Sequence, residues 1–140
     1  IEQICGEACS PVKVRYVNES VQGLLLRRPA SDAELMAGGA FDFVYCAGLF
    51  DYLSDKICER LLLRFASLLN EDGQVLVSNV HTCNPQKALM EHLLEWHLTY
   101  RDEAQLQSLL PPAAEQISIY VDSTGVNVFA ELRLKTSVLH

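Results

Sequence analysis

The stretch Phe41-Asp42-Phe43-Val44-Tyr45-Cys46-Ala47-Gly48 decides the fold. From Phe41 to Cys46 only Asp42 is charged, and Gly38-Gly39 and Gly48 bound the run. An apolar run without alternation predicts a strand covered on both faces, the habit of parallel sheets. Ser54 follows as a helix cap, with Asp55 well placed in the first turn. The helix that it opens carries Ile57, Leu61, Phe65 and Leu68, with Cys58, Leu62 and Leu69, as a wide apolar stripe. Asn70-Glu71-Asp72-Gly73 has the composition of a tight turn, and Val75 to Val80 reads as a second buried strand.

Outward from this centre the period of apolar residues keeps changing. Towards the start, Ile1 to Cys9 reads as the end of a helix closed by Ser10-Pro11, and Val12, Val14, Tyr16 and Val17 read as a first strand. Ser20 to Leu26 is expected to be a short helix or turn, and Ala33 to Met36 another helical stretch opened by Ser31-Asp32. Towards the end, Asn84-Pro85 has the form of a cap and first helical residue, ahead of Leu89, Leu93 and Trp96 on one side. Asp102 and Gln105 have capping-box spacing, so a separate short helix carries Leu106, Leu109 and Leu110 as far as Pro111-Pro112. Ile117 to Val121 and Val126 to Leu134 are expected to pair as a hairpin around Asp122-Ser123-Thr124-Gly125. In the second of them Val128, Ala130, Leu132 and Leu134 alternate with Asn127, Glu131, Arg133 and Lys135. The order β, α, β, α, β, α, α, β, β implies an α/β sheet, mostly parallel, with an antiparallel edge.

The 140 residues are 49% hydrophobic and 21% charged, with 11 Lys and Arg against 18 Asp and Glu and a net charge of −7. These values describe a single domain spanning residues 1–140 that buries about 70% of its unfolded surface without disulfides or structural metal. No basic excess exists to neutralise a phosphate backbone, so nucleic acid is not an expected partner. No apolar run approaches the roughly 20 residues of a membrane span. Five cysteines, an odd number, and the lack of a signal peptide point to a reducing cytoplasm. Cys5 and Cys9 make half of a metal site at most, and no second pair has ligand spacing. Opening on Ile1 and not Met, the sequence is expected to be processed or cut from something longer.

In open parallel sheets ligands bind beyond the carboxyl ends of the strands. Three segments fall there: Asn18-Glu19-Ser20, Cys46 to Tyr52, and Asn79 to Asn84. Gly48 either admits a ligand close to the backbone or only turns the chain, and Asn18 either orients a ligand or caps the next helix. His81 lies just past a strand, with His92 and His97 beyond it, five apart and not on one helix face. His81 and His97 are candidates for catalysis or substrate contact. Arg101 either pairs bidentately with a carboxylate substrate or forms an ion pair with Glu95 or Asp102. Cys46 reads as a small buried residue, not a nucleophile. No phosphate-cradling glycine motif is present.

The order of elements, the segment Phe41 to Gly48 and the run Leu68 to Val77 together resemble the second half of a class I S-adenosylmethionine-dependent methyltransferase. More narrowly, Tyr45 to Leu53, Asn79-Val80-His81 and Glu95 to Glu103 are similar to methyltransferase-like proteins that make 3-hydroxy fatty acid methyl esters. The resemblance implies a Rossmann-like methyltransferase sheet that is incomplete, lacking its first two βα units, so that residues 1–140 are the C-terminal portion of the domain. The missing strands would lie between Val12 to Val17 and Phe41 to Cys46. The family's glycine-rich loop after the first strand is absent here, as is an assignable acidic residue for the cofactor ribose. A gap of that kind predicts repacking, a homodimer through the exposed edge, or a missing N-terminal half.

The resemblance also implies S-adenosylmethionine as cofactor. It would place Asn18, Glu19 and Ser20 near the adenine, and Cys46, Ala47, Gly48 and Leu49 on the methionine side. Tyr52, His81, His97, Tyr100 and Arg101 would form the pocket for a small or fatty-acid-like acceptor. A carboxylate acceptor is already ionised and would be oriented by Arg101 or a histidine, whereas an alcohol or amine would need His81 as base. The competing reading is a non-catalytic methyltransferase-like module that serves in protein interaction or dimerisation.

Overall fold

The computed structural model describes residues 14–26, 40–112 and 114–134. The expected helices at Ile1 to Cys9 and Ala33 to Met36 lie outside the described residues. The elements are α1 (Val21–Leu26), β1 (Phe41–Cys46), a single 3-10 turn (Phe50–Tyr52), α2 (Asp55–Leu68), β2 (Leu69–Val80), α3 (Lys87–His92), α4 (Glu103–Ser108), β3 (Ala114–Val121) and β4 (Asn127–Leu134). The strands form one four-stranded sheet in the order β1-β2-β4-β3. β1 and β2 are parallel, while β4 runs antiparallel to both β2 and β3. The parallel core and the antiparallel closing hairpin are thus both present.

One face of this sheet is the core. Val75 and Val77 of β2 pair with Leu132 and Ala130 of β4, and all four are fully buried. Cys58, Leu61, Leu62 and Phe65 of α2 pack on the same cluster, joined by Leu106 of α4 and by Leu109 just beyond it. The α2 stripe is therefore buried as its period requires. Ser54 caps the helix only by backbone geometry, without a side-chain bond. α4 does show the full capping box: Gln105 N–H donates to Asp102 Oδ1 at 2.7 Å, and Asp102 N–H to Gln105 Oε1 at 2.9 Å. In β4 Val128, Ala130 and Leu132 are buried and Arg133 is exposed, as alternation predicts.

Four expectations need correction. Residues 14–20 form no strand, and Tyr16 is 88% exposed. Among the described residues no strand of the sheet takes this segment as a partner, and the sheet order is β1-β2-β4-β3 without it. Among the described residues β1 is an outer strand and is not covered on both faces: Phe43 and Tyr45 are 52% and 58% exposed and stack on each other, with ring centres 6.5 Å apart. The turn at residues 70–73 is absorbed into β2 as a bulge. Phe41 pairs with Leu69 and Phe43 with Gln74, so Asp42 alone faces four residues. Turn chemistry survives inside the bulge, where Asp72 N–H donates to Asn70 Oδ1 at 3.1 Å and Asn70 Nδ2 donates to Asp42 Oδ1. Gly73 is required there, because a Cβ would stand 2.9 Å from the Phe41 carbonyl oxygen.

The fourth correction concerns α3, which begins at Lys87 and not at Pro85. Asn84 Oδ1 accepts from Gln86 N–H at 2.8 Å and holds the preceding residues in a turn. The apolar side of this segment is not buried: Leu89, Leu93, Leu94 and Trp96 are all exposed.

Candidate functional site

The carboxyl ends of β1 and β2 lie side by side, and two segments leave the sheet there: Ala47 to Leu53 after β1 and His81 onward after β2. Gly48 has φ +73°, a left-handed conformation that favours glycine, and its N–H donates to Ser78 Oγ at 3.2 Å. Space beside Gly48 is open, since the nearest atom to a notional Cβ is Asp51 Oδ2 at 3.7 Å. Ala47 is exposed, Leu49 half-buried, and Cys46 buried. Burial, with Cys58 and Asp51 nearby, pushes the Cys46 thiol up to about 11, so it stays a protonated packing residue.

Arg101 holds these loops together. It is 2% exposed, and each of its three side-chain nitrogens is bonded inside the chain. Nη1 donates to the Phe50 carbonyl at 2.9 Å and to Asn79 Oδ1 at 2.6 Å. Nη2 donates to the Leu53 carbonyl at 2.9 Å and to Asp55 Oδ1 at 2.6 Å, and Nε adds a 3.0 Å bond to the same oxygen. The ion-pair partner is thus Asp55, across the fold, and neither Glu95 nor Asp102. The geometry gives Arg101 a positioning role and no free donor for a carboxylate ligand. Asn79, fully buried, extends the clamp by donating to the Thr99 carbonyl at 2.8 Å.

Asp51 belongs to the same assembly. Its Oδ1 accepts from Val80 N–H at 2.7 Å and its backbone carbonyl from Thr99 N–H at 2.7 Å. Burial raises its pKa, and the Val80 bond and the Arg101 charge oppose the rise.

His81 is buried with partners on both ring nitrogens. Nδ1 accepts from Cys83 N–H at 3.2 Å, so Nε2 bears the proton and faces Glu103 Oε2 at 3.1 Å. The carboxylate of Glu103 is held below its usual range by its own backbone N–H and by His81. His97 is exposed. Tyr52 is exposed, and its hydroxyl accepts from Trp96 Nε1 at 3.1 Å. The Tyr100 hydroxyl is buried without a partner, and Lys87 Nζ sits 4.4 Å from the centre of its ring.

Asn18, Glu19 and Ser20 lie at the start of α1. Ser20 Oγ accepts from Gly23 N–H at 2.9 Å and Glu19 Oε1 from Ser20 N–H at 3.0 Å, so at least part of this segment works as a helix cap. The structure therefore gathers Cys46 to Leu49, Arg101 and His81 around two strand ends, and ties Tyr52 to Trp96 beside them. Asp51 and Asn79 were not singled out from sequence. An acid flanked by Phe50, Tyr52 and Leu53 was the available signal for Asp51. Among the described residues no cluster of His, Cys, Asp or Glu is arranged to hold a metal. None of their helices is long and apolar enough to cross a membrane.

No family model matches the sequence, and no curated protein matches it. Solved structures do share the fold. Magnesium protoporphyrin IX methyltransferase from Synechocystis PCC 6803, with bound S-adenosylhomocysteine, aligns with a TM-score of 0.52 at 15% identity, over 71% of this chain and 47% of that one. Human N-acetylserotonin methyltransferase, in complex with S-adenosylmethionine, aligns with a TM-score of 0.51 at 19% identity, over 68% and 30%. A possible exported protein from Bordetella parapertussis aligns with a TM-score of 0.60 at 18% identity, over 69% and 40%. The mixed α/β sheet of this chain is thus shared with part of a Rossmann-like sheet in these methyltransferase structures. The chain spans less than half the length of each of these three proteins.

Proposed function

We propose that this chain is the C-terminal portion of a methyltransferase domain and contributes to methyl transfer from S-adenosylmethionine to a small or lipid-like acceptor. The observation that carries this reading is Gly48. It stands at positive φ at the end of one parallel strand and is anchored to Ser78 of the next, with open space in front of it. The fold shared with proteins bound to S-adenosylmethionine and S-adenosylhomocysteine supports the choice of cofactor.

In this reading Ala47, Gly48 and Leu49 face the methionine part of the cofactor, with buried Cys46 packing behind them, and Asn18, Glu19 and Ser20 face its adenine. Tyr52, Tyr100 and His97 supply the acceptor side, with the exposed Leu89, Leu93 and Trp96 suited to an alkyl chain. The methyl group moves by in-line displacement at a sulfonium carbon, so positioning dominates, and Arg101 fixes the loops that position. A 3-hydroxy fatty acid carboxylate is the acceptor that the narrower resemblance names. Arg101 is committed inside the chain and His81 is paired with Glu103, so neither is free to orient that carboxylate, and the hydroxyl of such an acceptor is its other reactive group.

The test is a calorimetric titration of S-adenosylhomocysteine into the chain and into its Ala47→Trp variant. Ala47 is exposed, so the indole blocks the cleft without disturbing the core. Saturable one-to-one binding that disappears in the variant is expected. A folded chain that binds nothing, together with a full gene product that binds nothing, sinks the reading. The second reading, a non-catalytic interaction or dimerisation module, draws its support from the bare Phe43 and Tyr45 on the edge strand.

A further inference from the structure

Asp51 is 6% exposed, yet only one of its carboxylate oxygens is used by the fold. Oδ1 receives the Val80 N–H, a task that the amide oxygen of asparagine would perform equally well. Among the described residues Oδ2 makes no hydrogen bond. The Tyr100 hydroxyl is the only polar side-chain atom there that is both fully buried and unpaired, so Oδ2 keeps contact with solvent. It lies 3.7 Å from the point where a Cβ on Gly48 would sit, facing the open space at the strand ends. Keeping a charge in such a place is costly unless the second oxygen has a task.

Arg101 acts on Asp51 through its charge but makes no hydrogen bond to it among the described residues. Arg101 is turned to Asp55, Asn79 and two carbonyls, and Lys87 is stacked over Tyr100. The charge of Asp51 is felt at the Tyr100 hydroxyl, which burial and Glu91 also keep protonated. Beside Gly48 there is thus one unbonded carboxylate oxygen, while Arg101 and Lys87 are engaged elsewhere.

We infer that Asp51 Oδ2 accepts the proton of the methyl acceptor, which therefore presents a hydroxyl or an amine and not a carboxylate. The inference rests on the methyl-transfer reading and replaces the carboxylate named there by a hydroxyl or amine as the group that is methylated. As the acceptor oxygen or nitrogen attacks the methyl carbon of the sulfonium, its O–H or N–H proton passes to Oδ2. The new C–O or C–N bond forms as the C–S bond breaks, and the sulfur keeps the electron pair as a neutral thioether. Asp51 then returns the proton to water.

The experiment compares two probes matched in shape, 4-butylphenol and 4-butylbenzoate, titrated into protein already shown to bind S-adenosylhomocysteine. Wild type should bind the neutral phenol about tenfold more tightly than the benzoate. Asp51→Asn preserves the acceptor for Val80 N–H, so it should fold. It should weaken the phenol and tighten the benzoate, each by several-fold. Equal weakening of both probes would mean that Asp51 is structural only and overturns the inference. So would benzoate binding at least as tight as the phenol and lost in Lys87→Met, or no binding of either probe. Failure to bind S-adenosylhomocysteine overturns the methyl-transfer reading itself, and the inference falls with it.

Discussion

The carboxyl end of β2 and the outer edge of β1 belong to one sheet but are finished in opposite ways. Beyond β2 the chain turns its own polar groups inward: Arg101, Asn79 and Asp51 bond to carbonyls and N–H groups from Phe50, Leu53, Val80 and Thr99. Along β1 the chain leaves aromatic rings in water and an apolar groove of about 260 Å³ between Leu24, Phe41, Phe43, Val44, Phe65 and Leu68. A buried polar network that is nearly complete fixes geometry, because any lost partner strands a desolvated group. An uncovered apolar edge fixes nothing and is open to further pairing. The clamp therefore fixes the loops at the strand ends, and the edge leaves room for more chain, or another chain.

The most damaging way to break this contrast is to cut the clamp at its centre. Arg101→Met leaves Asn79 Oδ1 and the Leu53 carbonyl without the guanidinium that donates to them, takes one of two donors from the Phe50 carbonyl, and leaves exposed Asp55 without its cation. Loss of about 3–5 kcal/mol is expected from urea unfolding. Asp55→Ala should cost much less, since that side chain is 69% exposed and Arg101 keeps its other acceptors. Equal effects from the two variants would mean that the ion pair, and not the clamp, carries the stability.

A smaller effect tests the element that follows Arg101 directly. Asp102→Ala removes one half of the capping box and strands the Gln105 N–H. The expected loss is about 1 kcal/mol. Hydrogen exchange should quicken at Gln105 while the amides of β2 stay protected. Spread of the faster exchange to Val80 would show that cap and clamp are one cooperative unit.

What could be read from the sequence follows the range of the interactions. The capping box of α4 was legible because its two partners are three residues apart, and the alternation of β4 because it needs only a period of two. The partners of Arg101 were not, since Asn79, Asp55 and Phe50 lie 22, 46 and 51 positions away. The bareness of β1 was equally hidden. An apolar strand reads the same whether its neighbours are present or not, and only the sheet order shows that β1 is outermost here. Asp51 was hidden for a third reason: an acid in a turn ordinarily faces water, and its burial depends on β2 and residue 99 arriving from elsewhere.

The smallest effect on stability is expected on the other side of the contrast, and its smallness is the point. Phe43→Lys replaces a half-exposed ring on the outer strand, which stacks on Tyr45 and borders the apolar groove. A core substitution of that size would cost about 3–5 kcal/mol. Here the folded state should change by no more than about 0.5 kcal/mol, because little area is returned to water. Sedimentation velocity supplies the second readout. If the edge pairs copies of this chain, the wild type should sediment faster as concentration rises and the lysine variant should not, its charge blocking the edge. A loss of several kcal/mol in Phe43→Lys would instead show that the ring is already covered in solution, and the two ends of the sheet would then be finished alike.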